Sequence, residues 1–252
     1  MQVRIPSPSL VSGMATQWRD ALKRSIGASR QVSVLFSGGL DSSLVATGAR
    51  DLAEVELVTI GASGSLDLIA AEQGARILGL PWKGRTVDRE DVERVLSSEV
   101  DILARASPVP RAVLVGIALA LETATHTRVL CGQGADELFL GYAHFEGLTT
   151  VETKGRRQED VDRLLLEDWP HSVTLGGRRR KDLSSPFLEP EFMEHVLSLS
   201  IDQLRSGGGR KPLLRAVAAL LGVPPELAER PKKAFQYGSG VARLLRSRPG
   251  RE

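Results

Sequence analysis

The sequence predicts an α/β protein: a doubly wound parallel sheet followed by a helical lobe. Three observations carry this. Short apolar runs alternate with helix-period segments through the first half of the chain, the pattern of strand–helix–strand units. Two glycine-containing strings, SGGLDSS at 37–43 and CGQGADE at 131–137, each follow an apolar run directly. After residue 142 the strand signals stop, and the rest reads as helices.

Taken in order, residues 1–30 read as an N-terminal extension with an extended start and a short helix over 18–26. The run QVSVLF at 31–36 is strand-like, and 42–52 is helical. A second strand is expected at 55–60. The next helix, 66–78, sets Leu66, Ile69, Ala70 and Ile77 on one side. A weaker strand covers 82–87. Asp88 is placed to cap the following helix, with Asp91 three residues on. That helix carries Val92, Val95, Leu96, Ile102 and Leu103 on one face. A helix over 112–125 leads to a short strand at 128–131. Residues 31–150 thus form the sheet-bearing core. Residues 151–252 form the helical lobe, with helices near 159–168, 190–199, 211–221 and 240–245. In open parallel sheets the ligand lies beyond the carboxyl ends of the strands, so both glycine strings should open into one crevice.

Composition narrows the function classes. The 252 residues include 42% hydrophobic and 25% charged residues, ordinary for a soluble domain. The net charge of +2 gives no argument for nucleic acid. The basic string Arg178-Arg179-Arg180-Lys181 is short and lacks interleaved aromatics, so a nucleic-acid partner is not expected. The lone cysteine, Cys131, excludes an internal disulfide framework and suits a reducing compartment. No apolar run is long enough to span a membrane, and a cytoplasmic protein is expected.

SGGLDSS has the chemistry of an anion cradle. A glycine pair lets backbone N–H groups approach an anion, and the start of the following helix adds unpaired N–H groups and a positive dipole end. The hydroxyls of Ser37, Ser42 and Ser43 are further donors. Asp41 would repel a bare phosphate, so its presence implies a cation between the two, most simply Mg²⁺.

Ser37-Gly38-Gly39-Leu40-Asp41-Ser42 resembles the pyrophosphate-binding loop of the ATP pyrophosphatases. Three further stretches resemble the synthetase domain of the asparagine synthetases in particular: CGQGADELFLGY at 131–142, SPFLEPEFMEHVLSL at 185–199 and RPKKAFQYGSG at 230–240. The resemblance covers roughly residues 30–242, and the wording is closest to stand-alone archaeal-type and asparagine-synthetase-domain-containing proteins. It implies an adenine nucleotide alpha hydrolase-like fold, ATP cleaved between its α and β phosphates, and a carboxylate activated as an acyl-adenylate and then amidated.

The resemblance also assigns residues. Ser37, Gly38, Gly39, Asp41 and Ser42 would hold the pyrophosphate, with Asp41 and Asp136 as Mg²⁺ ligands. Leu35, Phe36, Ile60, Cys131 and Gly132 would wall the adenine and ribose. Phe36 and Ile60 end adjacent predicted strands, which suits an adenine slot. Cys131 reads as a small packing residue rather than a nucleophile. Lys232 matches the transition-state lysine, with Lys233 beside it. Two departures bear on the acceptor. Gln133 stands where the family carries Glu, and a glutamine cannot take a proton at pH 7. Before the PF motif, Asp182 preserves an acid, whereas Ser184 replaces an arginine. The default acceptor is aspartate and the default nitrogen source is ammonia. Met1 is followed by Gln2 and only about 30 residues precede the loop, so no glutaminase domain is expected in this chain. That leaves room for a separate glutaminase subunit and for a homodimer. The rival reading is an ATP-binding regulatory or scaffold protein without turnover.

Overall fold

The computed structural model describes residues 5–104, 106–230 and 238–246. Five parallel strands form one sheet in the order β3-β2-β1-β4-β5. They are β1 (Gln31–Leu35), β2 (Glu54–Gly61), β3 (Trp82–Thr86), β4 (Arg128–Leu130) and β5 (Asp182–Ser184). The strand order reverses direction between β1 and β4, which pair with Ser33 opposite Val129 and Val34 opposite Leu130. The two glycine strings follow these two strands, so the sequence's expectation of one shared crevice coincides with the topological switch point.

The first helices are α1 (Pro8–Ile26), α2 (Leu40–Ala49), α3 (Leu66–Leu78), α4 (Arg89–Ser98), α5 (Val100–Leu103) and α6 (Pro108–Thr123). Then come α7 (Ala135–Leu138), α8 (Thr150–Arg163), α9 (Trp169–Arg178), α10 (Pro190–Ser198), α11 (Ile201–Arg205), α12 (Pro212–Leu220), α13 (Pro225–Ala228) and α14 (Val241–Arg246). They cover both faces of the sheet. Val32, Val34, Val55, Leu57 and Leu130 point into a core shared with α1, α2, α3 and α12. Val58, Ile60, Val129 and Leu183 point the other way, into a core shared with α4, α5, α6, α9 and α14. The alternation along each strand is the period of two that a pleated sheet imposes. No helix among the described residues is long and apolar enough to cross a membrane.

Four expectations need correction. Strand signals do not end at residue 142: the segment after residue 150 supplies β5, whose three residues are too few to show a period. The N-terminal segment is not extended before Trp18. Ser7 accepts from the Leu10 N–H, and α1 begins at Pro8. The helix after Asp88 has the expected reciprocal cap with Asp91 but breaks at Glu99, so Ile102 and Leu103 belong to a separate turn of helix. Finally, α3 buries a face turned away from the predicted one, the two sharing only Ala70. Leu66, Ile69 and Ile77 are about half exposed, while Ala70, Ala71, Gly74, Ala75 and Leu78 are buried. The small side chains let α3 come close to the sheet, and the ring of Phe36 fills the space at Gly74, where a Cβ would lie 3.0 Å from it.

Candidate active site

The turn after β1 is held before it begins. The Phe36 N–H donates to the Val58 carbonyl at 2.8 Å, and Thr59 Oγ1 donates to the Phe36 carbonyl at 2.6 Å. Gly38 then takes φ +67°, and a Cβ there would fall 2.7 Å from the Ala70 carbonyl oxygen. Only glycine meets both conditions without strain. Ser42 Oγ closes the loop: it accepts from the Ser37 N–H at 3.2 Å and donates to the Gly39 carbonyl at 3.2 Å. Gly39 caps α2 with no side chain, so no capping group competes for the first-turn N–H groups. That is an anion-ready helix start. Ser43, expected as a further donor, is completely buried, whereas Ser37 and Ser42 keep 8% and 5% exposure.

The turn after β4 packs directly on this loop. A Cβ at Gly132 would lie 3.1 Å from Cβ of Asp41. Asp136 sits in the first turn of α7. Its carboxylate and that of Asp41 converge on one group that sequence reading missed, the ammonium of Lys211, 2.7 Å from Oδ1 of each. Burial works against this charge, but Asp136 and Asp41 outweigh it and hold the lysine pKa above its ordinary value. Lys211 precedes α12 with φ +52°, a left-handed conformation that costs a non-glycine residue on the order of 1 kcal/mol. In the sequence it reads as the flank of a helix. The one available signal is its misplaced charge, since a cation at a helix N-terminus opposes the dipole.

This geometry tests the metal assignment. A cation already sits between the two carboxylates, and Mg²⁺ typically takes one or two protein carboxylates with the rest from water and phosphate. Asp41 and Asp136 therefore fit such an ion. Beside them Glu137 is buried, and burial together with Asp136 pushes its carboxyl up to about 7. It accepts from Tyr142 Oη at 2.5 Å.

The expected adenine wall divides. Leu35, Ile60 and Cys131 face the same core, but the Phe36 side chain lies on the opposite face of the sheet under α3. Phe36 and Ile60 do end adjacent strands, yet their offset by one pleat sends the side chains apart. Cys131 is buried, which raises its thiol to about 12 and removes it as a nucleophile. Gln133 is locked: Nε2 donates to Ser172 Oγ at 3.3 Å, and the Gln133 carbonyl accepts from Ser185 Oγ at 2.6 Å. Asp182, expected as a catalytic acid, stands at the start of β5. It pairs with Arg128 at 3.0 Å, at the amino end of the sheet, away from the crevice. Ser185, beyond the carboxyl end of β5, bonds the Gln133 turn instead. Lys232 and Lys233 lie outside the described residues. On either side of 231–237, Arg230 Nη2 donates to the Ser37 carbonyl at 3.2 Å, and the Ala62 N–H donates to the Ser239 carbonyl at 2.8 Å.

Three side chains of the basic string at 178–181 are bonded within the chain, while Arg180 is exposed. Arg178 bonds Glu99 and Asp101, each at 2.6 Å, and Arg179 bonds Glu99 at 2.8 Å and Glu122 at 3.1 Å. Lys181 Nζ donates to the carbonyls of Ala124, Thr125 and His126.

The sequence pattern of the family described as Asparagine synthase matches residues 14–184 and 182–250. A Methanocaldococcus jannaschii protein named "Putative asparagine synthetase (glutamine-hydrolyzing) 1" is 31% identical over 270 residues, covering 89% of this chain and 48% of the relative. The glutamine-hydrolyzing asparagine synthetase of Bos taurus is 30% identical, covering 90% of this chain and 43% of the relative. The chain thus spans about half the length of these relatives. Among solved structures, NMN synthetase from Francisella tularensis aligns with 91% of this chain and 76% of its own at 14% identity and a TM-score of 0.47.

Proposed function

The chain belongs to the asparagine synthase family, and from that membership we propose that it is an ATP-dependent amide-forming ligase. A substrate carboxylate, aspartate by default, attacks the α-phosphate of ATP. This gives an acyl-adenylate and pyrophosphate. Ammonia or another amine then attacks the acyl carbon and releases the amide and AMP.

The observation that carries this reading is the meeting of two loops at the switch point, with Asp41 and Asp136 2.7 Å from a single ammonium. In the proposal, Ser37, Gly38, Gly39 and Ser42 bind the leaving pyrophosphate through backbone and hydroxyl donors. Asp41 and Asp136 would hold Mg²⁺, which when bound supplies positive charge to the phosphate oxygens. Leu35, Ile60, Cys131 and Gly132 flank the adenine and ribose. Lys232 meets the charge that develops between the α-phosphate and the departing pyrophosphate. Nitrogen arrives as free ammonia or from a glutaminase, in this chain's assembly or apart from it.

One observation favours a second reading, an ATP-binding regulatory protein. Gln133 is neutral and held by Ser172, so the β4 turn offers no base at that position. One assay separates the two: AMP and pyrophosphate release with a panel of amino acids, with and without ammonium. AMP formed with one acceptor and abolished by Asp41→Asn supports the ligase. ATP binding with no AMP from any acceptor supports the regulatory protein.

A further inference from the structure

The site between Asp41 and Asp136 holds the chain's own cation. The Lys211 side chain is 7% exposed, and its two contacts of 2.7 Å set its charge between the carboxylates. Its stem is confined. Gly141 lacks the Cβ that would fall 2.2 Å from Lys211 Cε, and the chain continues from Lys211 straight into Pro212 and the buried α12. A buried ammonium with two carboxylate partners leaves them only for another anion, because an unpaired buried charge is costly. The loop beside it offers one place for such an anion. Asp41 is itself in the first turn of α2, whose N–H groups have no side-chain cap.

We propose that Lys211 is a positioning residue that closes Asp41 and Asp136 to a divalent cation until an anionic phosphate chain occupies the loop. Metal and nucleotide then enter together, and free metal is refused. This rests on the reading that these two carboxylates carry the metal.

Binding of Mn²⁺ alone, followed by its electron paramagnetic resonance signal as a stand-in for Mg²⁺, tests the proposal without turnover. Without nucleotide, Lys211→Met should bind Mn²⁺ at least ~10-fold more tightly than wild type, since a positive charge between two ligands is removed. Lys211→Arg keeps the charge and should refuse Mn²⁺ as wild type does, a distinction that a merely structural lysine would not make. Equal Mn²⁺ affinity in wild type and Lys211→Met overturns the proposal and leaves the proposed reaction standing. If adding Asp41→Asn to Lys211→Met changes nothing, the metal assignment falls and the proposal with it. Should Lys211→Met not fold, the wild type decides. Saturable Mn²⁺ binding without nucleotide, lost in Asp41→Asn, overturns the proposal. Saturation that requires a non-hydrolysable ATP analogue, beyond what the analogue binds by itself, supports it.

Discussion

At the scale of single residues, the site depends on side chains and backbone angles that tolerate little change. Gly38 is the clearest case. Alanine there meets the Ala70 carbonyl at 2.7 Å in a left-handed conformation. The conformation alone costs about 1–2 kcal/mol, and the contact must be relieved by moving α3 or the loop. Gly38→Ala should lower the thermal midpoint and weaken ATP binding together, read by a melting curve beside calorimetry. A stable variant with unchanged affinity would show that the loop does not hold the phosphates. In the proposed reaction Lys232 is the second case. A charge met only in the transition state typically contributes on the order of 3 kcal/mol, roughly a hundredfold in rate. Lys232→Ala should therefore keep ATP affinity and lose turnover, while Lys233→Ala stays mild. The reverse result would move the assignment by one residue. The serines of the loop were legible as donors, but their division was not: Ser37 and Ser42 bond each other across the turn, whereas Ser43 is fully buried.

Elements show where local pattern misleads. The α3 sequence has a stripe of large apolar residues and a stripe of small ones, and the larger stripe is the natural guess for burial. Packing chose the small stripe, because Phe36 already occupies the volume beneath it. The string at 178–181 reads as a free basic patch only until its acids are found. They are Glu99 at the junction of α4 and α5, Asp101 on α5 and Glu122 on α6, far away in sequence, and the ion pairs tie α9 and the residue after it to that layer. Glu122 is central to this network. Burial opposes its charge, but bonds from Arg94 and Arg179 prevail and hold its carboxyl below the ordinary glutamate value. A lowered folded pKa gives stability that is present above the unfolded value, near 4.5, and is lost as pH falls through the folded one. Glu122→Gln should therefore cost ~1 kcal/mol at neutral pH, after discounting for solvent screening. Its stability should decline less between pH 5 and the acid limit than that of wild type. Denaturant titrations at several pH values check this, and parallel curves would remove Glu122 from the acid response.

The whole molecule is bound together by its first helix. Trp18 is 1% exposed, and its ring centre lies 4.5 Å from Phe187 and 5.5 Å from Phe192. It thereby joins the N-terminal segment to the region after β5. The other side of α1 packs on α12, the helix that Lys211 precedes. Trp18→Ala leaves a large cavity at this junction and should cost roughly 3–5 kcal/mol. The loss should appear as a single cooperative transition at lower denaturant. A separate early transition of the helical segment, with the sheet intact, would show that the two parts fold independently.

By itself the sequence determined what neighbouring residues decide among themselves: the alternation of strands and helices, the Asp88 cap, the extent of α3 and the glycine turn that SGGLDSS makes into a helix start. Each depends on a period or a turn chemistry contained within a few positions. Only the tertiary structure decided which groups meet. Strand order brought Asp41 beside Asp136, and the pleat sent Phe36 and Ile60 to opposite faces. Parallel pairing put Asp182 at the amino end of its strand, against Arg128, and Ser185 at the carboxyl end, against the Gln133 turn. Lys211, 170 residues from Asp41 along the chain, entered between the two carboxylates. Contacts across such separations leave no periodic trace, because they are set by packing and by the need of a buried charge for a partner.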